Sequence, residues 1–129
     1  MEEKGMVVCD SDVLIEFLDR ANKAVEDRLV QLGMERLCIS SVTFSEVIFG
    51  SWNKTHQKAL IRGLRNFILI EIDPAIDSIH RNLIEKFSLS HRLSIQDALV
   101  AATALQGEHF LYTLNKKDFS FIEGLRLVK

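Results

Sequence analysis

Val7-Val8-Cys9-Asp10-Ser11-Asp12-Val13-Leu14-Ile15 is the stretch that decides how this chain is read. A short apolar run ends on an acid, and the residues beyond it take helical spacing. A continuous apolar run of this length suits a strand covered on both faces. Asp10 stands at its end, where an Asx-type cap would start the next helix.

The same alternation continues along the chain. Met6 to Cys9, Leu37 to Ile39, Phe67 to Ile72, Phe110 to Thr113 and Leu125 to Val128 read as strands. Between them, Val13 to Leu18, Val25 to Leu32, Phe44 to Phe49, Gln57 to Leu64, Pro74 to Leu89 and Gln96 to Leu105 carry helical spacing. Asp73 before Pro74 is a helix start, with a capping acid and proline at the first position. Gly107 falls just past a helix, where a left-handed cap is expected. Strands alternating with helices imply βαβ units. The expected fold is a three-layer α/β/α sandwich with a mostly parallel central sheet. It is expected to form a single domain over residues 1–129, since no linker, repeat or low-complexity segment interrupts it.

Composition is that of a globular chain: 47% hydrophobic and 26% charged residues, with one proline and six glycines. A net charge of -2 supplies no global basic field for nucleic acid, although a local patch suffices for binding. No apolar run is long enough to span a bilayer, and Met1-Glu2-Glu3-Lys4 lacks a signal-peptide pattern, so a cytoplasmic location is expected. Cys9 and Cys38 fall in apolar strands and read as small core residues. The four histidines have no zinc-ligand spacing with them.

Four carboxylates carry the chemistry: Asp10, Glu46, Asp97 and Asp118. Each sits where a regular element meets a loop, in a mainly apolar segment. Ligands of parallel sheets bind beyond the carboxyl ends of the strands, and the topology can bring all four acids there across separations of 36, 51 and 21 residues. Each also has a structural reading. Thr43-Phe44-Ser45-Glu46 and Ser94-Ile95-Gln96-Asp97 have capping-box form, Asp118 suits a turn, and Asp10 suits an Asx cap. Gathered acids favour a hard divalent cation, Mg²⁺ or Mn²⁺, and hence phosphoryl chemistry. Lys116 and Lys117 flank Asp118 closely enough to hold a phosphodiester backbone. The alanines of 98–104 read as close helix packing, Trp52 as an aromatic at the edge of the core ahead of a contact for RNA or a partner, and Asp19, Arg20, Glu26, Asp27 and Arg28 as solvated helix faces.

At these residues the chain resembles the PIN-domain family and, within it, the VapC-like toxin ribonucleases. The opening pattern is Asp10-Ser11-Asp12-Val13-Leu14-Ile15. The middle element runs from Ser40 to Glu46 and on to Gly50. The late element is Asp97-Ala98-Leu99-Val100-Ala101-Ala102-Thr103-Ala104, and the terminal one runs from Thr113-Leu114-Asn115-Lys116-Lys117-Asp118-Phe119 to Leu125. Asp12 departs from the pattern, since the family usually has a neutral residue there. The resemblance implies a metal-dependent endoribonuclease acting on RNA. Asp10 and Asp97 would be direct ligands of Mg²⁺ or Mn²⁺, with Glu46 and Asp118 completing the site or orienting water, and Thr113 and Asn115 behind them. It further implies a homodimer silenced by a cognate antitoxin. Two other readings stand beside it. One is a haloacid-dehalogenase-type phosphatase with Asp10 as nucleophile and Asp12 as acid. The other is a non-catalytic interaction domain whose acids are all caps.

Overall fold

Three residues of β1 (Val7–Cys9) set the middle of the sheet, and the rest of the chain is arranged around them in this computed structural model, which describes residues 5–129. The reading of Met1–Lys4 lies outside that range. After β1 come α1 (Ser11–Leu18), α2 (Lys23–Leu32) and a 3-10 turn at Met34–Arg36. Next are β2 (Leu37–Ser40), α3 (Ser41–Phe49), α4 (Lys54–Leu64) and β3 (Ile68–Ile70). The chain closes with α5 (Pro74–Phe87), α6 (Ile95–Gln106), β4 (Phe110–Tyr112), a second 3-10 turn at Lys116–Asp118 and β5 (Arg126–Leu127). The strands order as β3-β2-β1-β4-β5, and every pairing is parallel.

The two-residue period of a strand sorts its side chains between two cores. Val7, Cys9, Leu37, Ile39 and Tyr112 pack with buried residues of α1 to α4, among them Leu14, Leu29, Val47 and Leu64. Val8, Cys38 and Leu111 point the other way, onto α5 and α6 with Phe119 and Ile122. The expected three-layer α/β/α sandwich is what forms. Both cysteines are free and buried, one on each side of the sheet, as a core role requires. Ala98, Ala101, Ala102 and Ala104 are fully buried, and their small side chains let α6 lie close to both the sheet and α5. β3 departs from full coverage. It is an edge strand, and Ile68 and Leu69 remain exposed.

Every helix but α5, which starts at Pro74 as expected, begins one to three residues earlier than its apolar periodicity suggests, because the first turn is held by a polar cap and not by the core. Asp10 caps α1, Ser40 caps α3, Asp73 caps α5 ahead of Pro74, and Ser94 caps α6. Two expectations are corrected. The capping box Thr43–Glu46 does not form. α3 starts at Ser41, Ser40 Oγ accepts from the Val42 N–H at 3.2 Å, and Thr43 is buried inside the helix with its hydroxyl unpartnered. Glu46 is thus freed from capping. Gly107 is not left-handed either, with φ -94°. The left-handed residue is Glu108 at φ 54°. Gly107 instead makes room for the His109 ring, since a Cβ there would fall 2.1 Å from His109 Nε2 and force the ring aside.

Candidate active site

The acids collect at the carboxyl edge of the sheet, delivered by three adjacent central strands. Asp10 directly follows β1, Ser40 ends β2 and starts the helix carrying Glu46, and Thr113 directly follows β4. Asp97 lies in the first turn of α6, and Asp118 closes the 3-10 turn after β4.

Asp10 is only 6% exposed. Its Oδ1 accepts from the Ser11 N–H at 2.8 Å, and its Oδ2 accepts from the Thr113 hydroxyl at 2.9 Å. Thr113 Oγ1 in turn accepts from the Asn115 N–H at 3.1 Å, so the turn is tied to the strand through one hydroxyl. Thr113 has a single proton and gives it to Asp10. Asp12 Oδ2, at 3.4 Å from that hydroxyl, is held mainly by the Leu114 N–H at 3.1 Å. Asn115 also donates from Nδ2 to Asp118 Oδ2 at 2.7 Å. Thr113 and Asn115 thus each hold one carboxylate of the cluster by a hydrogen bond.

The electrostatics show that the acids share one field. Burial, the charge of Asp12 and that of Asp97 push Asp10 up to about 7, against hydrogen bonds from Ser11 and Thr113 that hold it down. Asp12 is raised by burial and by Asp118, against bonds led by the Leu114 N–H. Glu46 is raised by burial, with Asp97 and Asp12 adding to it and the Ser11 hydroxyl opposing. Asp97 is raised by burial, Asp118 and Asp12. Removing carboxylates from water and facing them with like charge both disfavour ionisation. None of the ion pairs among the described residues includes any of these five acids.

One observation tests whether a cation fits. Asp12 Oδ1 is buried without a hydrogen-bond partner, and an orphaned carboxylate oxygen is costly. The donor set is entirely oxygen, which suits Mg²⁺ or Mn²⁺. Among the described residues no three histidine, cysteine or acidic side chains close into a coordinating group. The donor chemistry, and not a formed coordination group, is what suits a hard divalent cation.

Two clefts include acids of the cluster, and a third lies beside it at Thr113 and Asn115. One, of about 330 Å³, includes Glu46 with Trp52 and His56. A second, of about 340 Å³, includes Ser94, Asp97 and Asp118 with Arg92 and Lys117. The third, of about 540 Å³, joins Thr113 and Asn115 to Arg28, Lys116, Lys117 and Lys129.

Two neighbours of the site differ from expectation. Trp52 is not an aromatic at the edge of the core: it is 76% exposed. Asp19 is exposed, as a helix-face residue should be, yet it is not free: its Oδ1 lies 2.9 Å from His56 Nε2. Ser11 also proves more involved than its spacing conveyed, since its hydroxyl opposes the rise of Glu46. Its adjacency to Asp10 in the opening stretch was the only signal.

A comparison with curated proteins finds no significant match. Among solved structures, a toxin-antitoxin complex from Klebsiella pneumoniae is similar at 25% identity and TM-score 0.80, covering 95% of this chain and 96% of that one. DNA-bound VapBC from Salmonella typhimurium has TM-score 0.84 at 19% identity, with 97% and 98% covered. FitAcB from Neisseria gonorrhoeae has TM-score 0.78 at 23% identity, with 96% and 97% covered. At the last two identities the likeness is one of fold. The PIN-domain model matches residues 7–120, from β1 through the turn bearing Asp118, and so takes in every acid of the cluster. The chain belongs to the PIN-domain family.

Proposed function

We propose that this protein is an Mg²⁺- or Mn²⁺-dependent endoribonuclease, acting in the cytoplasm as the toxin of a toxin-antitoxin pair. PIN domains are nucleases that generally use divalent metal ions. The observation that carries the reading is the acid cluster around buried Asp10, with none of its members in an ion pair among the described residues and with Asp12 Oδ1 orphaned. Asp10 and Asp97 serve as direct ligands, and Glu46 and Asp118 complete the site or orient water. A bound divalent ion supplies a water of lowered pKa and neutralises charge developing on the scissile phosphate.

The chain's own residues do the rest. Thr113 holds Asp10 in one orientation, and Asn115 does the same for Asp118. Asp10, whose proton affinity lies near neutrality without an ion, is charged outright once a cation offsets its neighbours. Arg28, Lys116, Lys117 and Lys129 rim the adjoining cleft and supply the local positive patch that a chain of net charge -2 lacks globally. Partners follow from the relatives. The Klebsiella pneumoniae structure is a toxin-antitoxin complex, and VapBC2 and FitAB are each bound to a DNA fragment; an antitoxin partner, with a homodimer of this chain, is proposed here.

The test is cleavage of RNA with added Mg²⁺ or Mn²⁺ and with chelator. Fragments should form only with the ion, and undiminished cleavage in chelator refutes the reading. Membership of the PIN family favours this over the phosphatase reading, and Asp12→Asn separates them. A nuclease should keep much of its activity, whereas a phosphatase would lose its acid and accumulate phosphorylated Asp10.

A further inference from the structure

Trp52 is one of several large apolar side chains at the surface, and it differs from exposed Phe49 and Leu89 in being held by a ring beneath it. The connection between α3 and α4 presents its indole to solvent, in the same cleft as Glu46, Ile15 and Leu60. The indole is not loose, for one of its faces stacks on the His56 ring at 4.2 Å between centroids and 19° between planes. His56 is pinned at both nitrogens. Nδ1 accepts from the Trp52 backbone N–H at 2.9 Å, which places the proton on Nε2, and Nε2 then donates to Asp19 Oδ1 at 2.9 Å. The His56 N–H donates to Asn53, the cap of α4, at 2.8 Å. The result is a rigid aromatic surface, backed on one face and open on the other, beside a carboxylate of the candidate active site.

We propose that Trp52, backed by His56, is a stacking platform for one nucleobase of a single-stranded RNA whose phosphate lies at the acid cluster. The subsite rests on the nuclease reading and adds a substrate class to it. Every base has a π-face, so an aromatic platform binds strands with little sequence preference. In a duplex both faces of a base are already covered, and only loops, ends and single strands can offer one. The pinned imidazole removes the ordering cost that a free indole would incur on binding. Glu46 lines the same cleft, which joins the platform to the acid cluster.

Trp52 is the only tryptophan in the chain, so its own emission reports the subsite without any need for cleavage. The full-length protein is titrated in chelator with single-stranded oligouridine, a duplex of the same length, and an abasic strand with the same number of phosphates. Saturable quenching by oligouridine alone is expected. With Mg²⁺ or Mn²⁺ and single-stranded RNA, Trp52→Ala should raise KM about tenfold or more with kcat within about twofold, the sign of lost uniform binding. Trp52→Phe should restore most of it.

Three outcomes overturn the subsite. One is cleavage by wild type without quenching, which leaves the nuclease reading intact. Another is an unchanged KM in Trp52→Ala. The third is a concentration-dependent emission shift with Trp52→Ala altering the oligomeric state, which would make the indole a contact between two copies. Quenching by oligouridine with no cleavage under any ion would keep the platform and sink the nuclease.

Discussion

Replacing Asp10 by Asn should stabilise the metal-free protein at alkaline pH and leave it nearly unchanged in acid. Asp10 is almost wholly buried, and its carboxyl rises from 3.8 to about 7 through burial first, with the charges of Asp12 and Asp97 adding to it. At about 1.36 kcal/mol per pH unit, that displacement corresponds to roughly 4 kcal/mol against the charged form. The sign follows from proton binding. Between about pH 4 and pH 7 the folded protein holds a proton that the unfolded chain has released, so stability falls as pH rises through this window. Below pH 4 both states are protonated and the penalty vanishes. Above pH 7 both are ionised and it is fully present.

Asparagine removes the charge while keeping the cap, because its Oδ1 still accepts from the Ser11 N–H and asparagine is a strong N-cap. Thr113 then turns its hydroxyl to accept from the new amide. Relaxation and water entry reduce the realised gain below the roughly 4 kcal/mol ceiling, to about 1–3 kcal/mol at pH 8. Urea melts of both proteins in chelator, at pH 4.5, 6 and 8, measure the difference directly. Asp12, Glu46 and Asp97 add slopes of the same sign to wild type, while His109, lowered by burial and Arg126, opposes them near pH 6. Both effects largely cancel between the two proteins. Asp10→Asn less stable than wild type at pH 8, or an equal difference at pH 4.5 and 8, would refute the reasoning.

Asp97→Asn should leave metal-free stability unchanged or slightly higher, because Ser94 caps α6 through a backbone N–H that the substitution keeps, while like charge is relieved. A loss of up to about 1 kcal/mol would mark Asp97 as only a capping acid. Saturating Mg²⁺ should raise the wild-type Tm far more than the mutant's, as preferential binding to the folded state requires, and RNA cleavage should fall by at least about 100-fold. Thr113→Val strips Asp10 Oδ2 of its donor. It should cost about 1.5–3 kcal/mol at pH 8 in chelator and move the Asp10 titration upward, read by urea melts and by carboxyl NMR titration. A valine variant with unchanged melting and titration would mean that the hydroxyl does not hold the carboxylate.

The α/β alternation was legible in the chain because both its periods are local. Val7 to Cys9 and Leu37 to Ile39 announce buried strands by continuity alone, and Pro74 after Asp73 announces a helix start by covalent geometry. Asp10, Glu46, Asp97 and Asp118 were legible as candidates because an acid at the end of an apolar element is costly wherever the element goes. What stayed hidden depends on neighbours distant in sequence. Ser40 and Thr43 offer nearly the same capping hydroxyl within four residues, and the packing of α3 under the sheet, with Thr43 turned inward, chose Ser40. Asp19 and Arg20 look alike as polar residues ending a helix, yet only Asp19 meets His56, 37 residues later.

Trp52 carries no local mark of being exposed. Its placement follows from the turn between α3 and α4, where His56 covers one face of the indole and leaves the other to solvent. Strand order is of the same kind: nothing in β1 itself says that β2 and β4 flank it and place Thr113 against Asp10, 103 residues away. The sequence by itself determined which segments are strands or helices and which acids are too costly to leave ungathered. Only the tertiary structure decided their mutual distances, because a carboxylate's proton affinity is set by burial and by neighbouring charge, and both arise when the chain closes on itself.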